Sequence, residues 1–265
     1  MTTLTAETGA SWSFLGQLLL AALIGAASGA IGSFILLRRM ALVGDALSHV
    51  ALPGIALALA YRVDPFWGVI GTLLAAAVLV NWLEAKSELS TDALVGLLFT
   101  ASLAVGILAI PDAEILESLF GAFPALSPLE SAATAGSAAL MLAGTFLFAR
   151  RFLFRIVSED LAQSSGVGRG YDLLLLVVFS SVVALGIKLV GTLLMGALTI
   201  IPAAIARNVS SGMRRYLLIA VAIGALISVI GVSAAALWAL RPGPTVVLVG
   251  VACFVASLPV ARRTR

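Results

Sequence analysis

Long apolar runs separated by short polar segments extend along the whole chain of 265 residues. Runs of about 20 apolar residues recur from end to end, which is the length that an α-helix needs to cross a hydrocarbon core about 30 Å thick. A membrane β-barrel would instead show segments of about ten residues with alternating hydrophobicity. The pattern therefore predicts an all-α polytopic membrane protein.

The apolar runs predict nine transmembrane helices. The stretch from Leu173 to Ala206 is too long for one crossing, and Lys188 and Gly191 divide it into two helices joined by a tight turn. Treating that stretch as one helix leaves eight crossings as the alternative. The predicted spans are approximately 14–37, a second run that ends near Tyr61, 66–83, 93–110, 129–149, the two halves of 173–206, 216–238 and 245–261.

The basic residues predict the orientation of these spans. Lys and Arg favour the cytoplasmic loops of membrane proteins. With nine spans, the N-terminus outside and the C-terminus inside, only Arg62, Lys188 and Arg241 fall outside. Eight spans would scatter the basic residues to both sides. The inner set is then Arg38, Arg39, Lys86, Arg150, Arg151, Arg155, Arg169, Arg207, Arg214, Arg215, Arg262, Arg263 and Arg265.

Composition excludes a soluble protein. Apolar residues make up 61% of the chain and charged residues only 11%, whereas soluble domains carry about 25% charged residues. We expect a single transmembrane domain over residues 1–265 that contacts the lipid bilayer. Because most arginines lie in short loops, the net charge of +3 does not point to a nucleic-acid partner. No basic segment precedes the first apolar run, so this run is expected to be a retained helix and not a cleaved signal peptide.

Asp45 and His49 are the candidate functional residues. They lie four positions apart in an apolar run, so a helix would place them on one face. Ionisable groups at membrane depth are costly and usually face a pathway, and a carboxylate with an imidazole suits zinc, manganese or ferrous iron. One His and one Cys, Cys253, exclude a conventional Cys/His zinc site. The alternative is a clasp, with His49 bonded to a backbone carbonyl and Asp45 bonded to Ser48 or a helix N-terminus.

Three further segments carry local signals. Pro53-Gly54 and Pro202 lie inside apolar spans, where a proline interrupts the backbone hydrogen bonds and either lines a cavity or forms a packed kink. Ser158, followed by Glu159 and Asp160 and then by Gly166, has the order of a helix cap, an acidic first turn and a stop. The acids Asp112, Glu114, Glu117 and Glu130 are predicted outside, either as a surface that docks a partner protein or attracts cations, or as a solvated loop.

Four motifs resemble the membrane permease subunits of bacterial ABC importers for zinc, manganese and iron. They are Arg38–Gly54, Asp92–Phe99, Glu159–Ala162 with Gly166, and Lys188–Leu194 continuing through Ile200–Arg207. The likeness covers nearly the whole chain in order. Two stretches depart from the family: this chain has Ser158-Glu159-Asp160 where the family commonly has an Asp-Pro before Glu-Leu-Ala, and it has Thr91 where a second acid often stands beside Asp92.

The resemblance implies a single permease domain in the bacterial cell membrane. It implies a homodimer with a second copy of the chain, a cytoplasmic ATPase dimer and an extracytoplasmic metal-binding protein as partners. It further implies that Asp45 and His49 contact the transported zinc, manganese or iron transiently, with no permanently bound cofactor and no catalytic residue. The segment of about residues 156–170 would couple to the ATPase through Ser158, Glu159, Asp160, Leu161, Ala162 and Gly166.

The remaining classes of function differ in their energy source. The chain lacks the Gly-x-x-x-x-Gly-Lys-Ser/Thr phosphate loop, so an ABC importer subunit would need a separate ATPase. A proton-coupled secondary metal transporter, with Asp45 and His49 as a relay, is the alternative. A lone histidine without a His-Glu-x-x-His motif argues against an intramembrane metalloprotease.

Overall fold

The computed structural model describes residues 2–87, 89–109, 127–192 and 194–261, and these residues are almost entirely helical. No strand occurs in those ranges. The eleven helices are α1 (Thr2–Leu37), α2 (Ala41–Val50), α3 (Leu52–Ala60), α4 (Pro65–Lys86), α5 (Thr91–Ala109), α6 (Pro128–Val157), α7 (Glu159–Ser164), α8 (Gly170–Val190), α9 (Met195–Val209), α10 (Met213–Leu237) and α11 (Pro242–Ala261).

Eight segments of the described chain are long and apolar enough to cross a membrane, and α9 is a shorter apolar helix of 15 residues. The all-α membrane fold is therefore confirmed, with α9 as the ninth predicted span. The orientation of the termini stays a prediction. We call the end of the bundle that holds Arg38 and α7 the inner end. The predicted outer acids Asp112, Glu114 and Glu117 lie outside the described residues.

Helix α1 is at the centre of the bundle and packs against α6, α8, α9 and α10. Its glycines allow the closest of these contacts. A Cβ atom built on Gly25 would lie 2.8 Å from the carbonyl carbon of Gly224, and one on Gly29 would lie 2.8 Å from that of Ala220. Small residues let membrane helices approach closely enough for extensive van der Waals contact. The helix pair α1–α10 therefore depends on the absence of these Cβ atoms.

The second span is two helices rather than one. Helix α2 ends at Val50, and α3 begins at Leu52 with Pro53 in its first turn, where a proline has no intrahelical bond to lose. Gly54 then allows close contact with α4, because a Cβ built on it would lie 2.6 Å from the carbonyl carbon of Gly68. The interruption of the span thus lies at Ala51, just before Pro53-Gly54, which belong to α3.

Helix α9 does not end at Pro202 but continues through it from Met195 to Val209. The Pro202 ring is buried and packs near α1, where a Cβ on Gly29 would lie 3.4 Å from its own Cβ. Neighbouring helices commonly support a proline inside a membrane helix. Packing against α1 is thus the physical reason why this proline does not end the helix.

The division at Gly191 is present as expected. Helix α8 ends there, and Gly191 adopts a φ of +78° with its N–H bonded to the Ile187 carbonyl at 2.9 Å. A positive φ is readily adopted only by glycine, which commonly ends helices in this way. Lys188 lies in the last turn of α8. The chain then turns towards α9, which begins at Met195.

Candidate metal site and inner coupling segment

Asp45 and His49 lie one turn apart on α2, as the sequence predicts, but their surroundings differ. His49 is buried, with 6% of its surface exposed, whereas Asp45 is exposed in the single chain. The Asp45 backbone is held against α9, because a Cβ built on Gly196 would lie 2.8 Å from the Asp45 amide nitrogen. The carboxylate thus projects from the helix contact while the imidazole lies beneath the surface.

The His49 ring lies against Phe99 of α5 in an edge-to-face arrangement, with the ring centroids 5.3 Å apart. Its Nδ1 atom is buried and has no hydrogen-bond partner among the described residues. An unsatisfied buried polar atom costs about 1–3 kcal/mol. Packing therefore orients the imidazole, and Nδ1 has no competing hydrogen bond from the described residues, although it is shielded from the surface of the single chain.

The polar clasp that the sequence left open has a different form from the one expected. The Ser48 hydroxyl contacts the backbone carbonyl of Asp45 at 2.7 Å rather than the Asp45 carboxylate. No ion pair of the Asp45 carboxylate is present within the described ranges. The other expected clasp contact, with the start of a helix, is compatible with the structure, because Asp45 lies against Gly196 in the first turn of α9. The clasp and metal contact therefore both stay predictions.

One chain supplies few ligands at this position. No group of three or more His, Cys, Asp or Glu side chains that could hold a metal ion occurs in the part of the chain that the structure describes. A carboxylate and an imidazole alone form a weak site. Conduction needs such a site, because an ion that enters must also leave.

Ser48 ties α2 to the turn after α8, a contact that the sequence analysis missed. Its hydroxyl donates to the carbonyl oxygen of Thr192 at 2.6 Å, and both residues are fully buried. On the same side of α2, a Cβ on Gly44 would lie 3.1 Å from the Thr199 hydroxyl. The only sequence signal was the small residues around Asp45, which is typical of close helix packing.

The inner segment forms the short helix predicted for it. The Leu161 N–H donates to the Ser158 hydroxyl at 3.4 Å, which caps α7. Gly166 ends the segment with a φ of +80°, and the Val167 N–H bonds to the Ala162 carbonyl at 2.8 Å. Leu161 is 61% exposed, whereas Ala162 is fully buried. Leu161 is therefore the residue of this pair that a partner can reach.

A buried ion cluster at the inner end was not predicted. The Asp172 carboxylate, at the start of α8, receives Arg38 on Oδ1 at 2.6 Å and Arg155 on Oδ2. Arg155 also lies 3.6 Å from the carboxylate of Glu159. Buried charges are rare unless paired in this way. In the sequence analysis, Arg155 was used only as an indicator of orientation, and Arg38 as such an indicator and as the start of the first motif.

Glu130 has a local structural role. The Glu130 N–H donates to the Ser127 hydroxyl at 3.3 Å, and the Ser127 N–H donates to the Glu130 carboxylate at 2.8 Å. This reciprocal pair caps the first turn of α6. Helix capping is therefore a third explanation for an acid at this position, in addition to the functional surface and the solvated loop that the sequence analysis considered.

Comparison with known proteins gives one consistent assignment. Residues 13–261 match the family described as "ABC 3 transport family". The manganese import system permease protein ScaB of Streptococcus gordonii is 32% identical over 253 residues, which cover 94% of this chain and 91% of that protein. The high-affinity zinc uptake system membrane protein ZnuB of Haemophilus influenzae is 29% identical, with 86% of this chain and 90% of that protein covered.

A solved structure has the same fold. The structure described as PsaBC from Streptococcus pneumoniae in complex with Fab aligns with a TM-score of 0.79 at 31% identity, covering 92% of this chain and 90% of that one. An inward-facing putative metal-chelate type ABC transporter aligns with a TM-score of 0.73 at 19% identity, covering 92% and 85% of the two chains. The second likeness concerns the fold alone.

Proposed function

Because this chain belongs to the ABC 3 transport family, we infer that it is the membrane permease subunit of an ABC importer for a divalent transition metal ion. The observation that carries this function is the Asp45–His49 pair in a chain that matches the family over nearly its full length. The carboxylate projects from α2, and the buried imidazole keeps Nδ1 without a partner in the described part of the chain. The chain is a transport subunit and not an enzyme.

The two side chains have complementary roles towards the ion. The negative charge of Asp45 offsets the loss of hydration of a divalent cation, and the neutral imidazole of His49 donates a nitrogen lone pair. Two copies related by a two-fold axis would bring together two carboxylates and two imidazoles. We propose that this shared site lies on the pathway near the dimer axis and that the ion binds it only in passing.

Manganese and zinc are the proposed substrates. The named relatives are a manganese import permease and a zinc uptake protein. Oxygen and imidazole ligands suit both ions and would also accept ferrous iron, which the names of these two relatives do not mention. We expect an extracytoplasmic metal-binding protein to deliver the ion and to choose it.

A separate ATPase dimer is proposed to supply the energy, since the sequence has no phosphate loop. Helix α7 is its proposed contact, with exposed Leu161 presented to the ATPase and buried Ala162 supporting the helix from the bundle. Ser158, Glu159, Asp160 and Gly166 shape the helix and its ends. Pro53, Gly54 and Pro202 are proposed to shape the helices beside the pathway.

Reconstitution tests the function. The permease, its ATPase and its binding protein are placed in proteoliposomes, and uptake of radioactive manganese, zinc and iron is measured with and without ATP. We expect ATP-dependent uptake of manganese or zinc. Uptake that follows an imposed proton gradient and ignores ATP would overturn this proposal in favour of a proton-coupled transporter.

A further inference from the structure

Asp172 joins three segments that are distant in sequence. Arg38 follows the last residue of α1, Arg155 lies in the last turn of α6, and Asp172 lies in the first turn of α8. Asp172 and Arg155 are only 5% and 4% exposed. Separating these helix ends would leave a buried charge without its partner, which is energetically costly. The ion pairs therefore hold the ends of α1 and α6 and the start of α8 together. We call Arg38, Arg155, Glu159 and Asp172 the inner ion cluster.

One side of the inner ion cluster belongs to the proposed ATPase contact. Glu159 is the first residue of α7, and its carboxylate, unlike the buried members of the cluster, is largely exposed and lies 3.6 Å from Arg155. Arg155 also contacts the backbone carbonyl of Glu159 at 3.4 Å. Two contacts, one of them to the backbone, link Arg155 to the N-terminus of α7. A push on α7 therefore acts on Arg155 directly.

The other side leads to the proposed metal site. Arg38 is followed by a tight turn in which Arg39 has a φ of +63° and the Met40 N–H bonds to the Ile35 carbonyl at 3.0 Å. Helix α2, with Asp45 and His49, begins at the next residue. Because the turn is short and hydrogen-bonded to α1, a displacement of Arg38 moves the start of α2.

The surroundings leave space for such a displacement. A cavity of about 110 Å³ lies beside the cluster. Its lining includes Arg155, Glu159 and Asp172 of the cluster, together with Glu84 and Arg169. The Nε atom of Arg155 is buried and has no hydrogen-bond partner among the described residues. Glu84, whose Oε1 accepts a hydrogen bond from the Thr91 hydroxyl, places a second carboxylate in this lining. The Arg155 guanidinium thus has both room and an alternative partner.

We propose that Asp172 is a positioning residue that transmits movement of α7 through Arg155 and Arg38 to the helix carrying Asp45 and His49. This inference rests on the proposed function. In this proposal, the inner ion cluster couples the ATPase contact on α7 to the metal pathway at Asp45 and His49. A complex that assembles without the cluster should therefore hydrolyse ATP but move fewer ions for each ATP. This effect is separate from any decrease in the amount of folded protein.

The test is the number of metal ions taken up per ATP hydrolysed by the complete importer in proteoliposomes, with manganese and zinc as the probes. The variants are Asp172→Asn and Arg38→Gln, and the control is Arg214→Gln, an exposed arginine at the start of α10. We expect ions per ATP to fall about tenfold in both cluster variants, within the usual range of coupling between two sites. The control should keep the wild-type ratio.

If Asp172→Asn fails to assemble, the milder variant Arg38→Lys tests the same inference. It keeps the positive charge but replaces the planar guanidinium that reaches Asp172 Oδ1 with a compact ammonium, and it should also lower ions per ATP. A wild-type ratio in every assembled cluster variant would overturn the inference, as would loss of assembly in all three. If the wild-type complex itself shows no ATP-dependent uptake, the proposed function fails, which is a separate result.

Discussion

The hydroxyl of Ser48 lies 2.6 Å from the carbonyl oxygen of Thr192 and ties the helix of Asp45 and His49 to the turn between α8 and α9. This bond joins positions 144 residues apart and is buried at both ends. Ser48 directly precedes His49 in the sequence. The orientation of the helix that carries Asp45 and His49 therefore depends on a hydrogen bond to a different part of the chain.

Ser48→Ala should destabilise the permease. Hydrogen bonds between membrane helices contribute about 0.6 kcal/mol on average and up to about 1.7 kcal/mol, so we expect a loss of about 1 kcal/mol in reversible unfolding in detergent. Ser181→Ala is the matched control, because its hydroxyl bonds only within α8, to the Val177 carbonyl at 2.8 Å. Equal losses in the two variants would contradict a specific role for the Ser48 bond.

Gly224→Ala should separate α1 from α10. A Cβ at this position would lie 2.9 Å from the carbonyl carbon of Gly25, so one of the backbones must move. Overpacking of this kind costs about 1–3 kcal/mol. Gly144→Ala, where a Cβ meets nothing within 4 Å, should be neutral or slightly stabilising. Thermal unfolding of the purified protein in detergent compares them, and a similar loss in both would argue against the close contact.

Asp45→Asn and His49→Leu should stop metal uptake while leaving the complex assembled. Uptake per assembled complex should fall at least about tenfold, since even outer-shell partners of metal sites contribute 10–100-fold to affinity. Asp64→Asn is the control, because asparagine keeps the cap that this exposed aspartate provides to α4. Normal uptake per complex in both pathway variants, with a reduced amount of folded protein, would instead assign the pair to a structural clasp.

Leu161→Asp and Ala162→Asp should fail in different ways. Leu161 is exposed, so a carboxylate there should leave the permease inserted but weaken copurification of the ATPase and ATP-driven uptake. Ala162 is fully buried, and a buried unpaired charge should lower the amount of folded permease. Membrane levels and the ratio of ATPase to permease after purification separate the two effects. If uptake survives Leu161→Asp, another loop makes the contact.

Single cysteines report the orientation of the bundle. In a background with Cys253→Ser, cysteines at Arg62 and Pro242 should react with an impermeant thiol reagent added outside intact cells. Cysteines at Arg39 and Gln163, both exposed in the single chain, should react only after the membrane is opened. Labelling of Gln163 from outside would reverse the proposed topology and remove α7 from the ATPase side.

Local features of the sequence determined much of this protein. Hydropathy predicted the spans, because the length of an apolar run must match the membrane. Gly191 and Gly166 marked helix ends, since a positive φ favours glycine, and Ser158 marked a helix start through its side-chain cap. The spacing of Asp45 and His49 placed them on one helical face. Each of these signals acts within a few residues, so the sequence contains it directly.

The tertiary structure decided which groups meet across the bundle. Asp172 pairs with Arg38 from 134 residues away, and Ser48 with Thr192 from 144 residues away. Neither partner is specified by periodicity or charge, because many arginines and carbonyl groups are possible partners in the sequence alone. The burial of Ala162 beside exposed Leu161, and the continuation of α9 through Pro202, likewise depend on packing against neighbouring helices. Those contacts form only when distant segments occupy the same space.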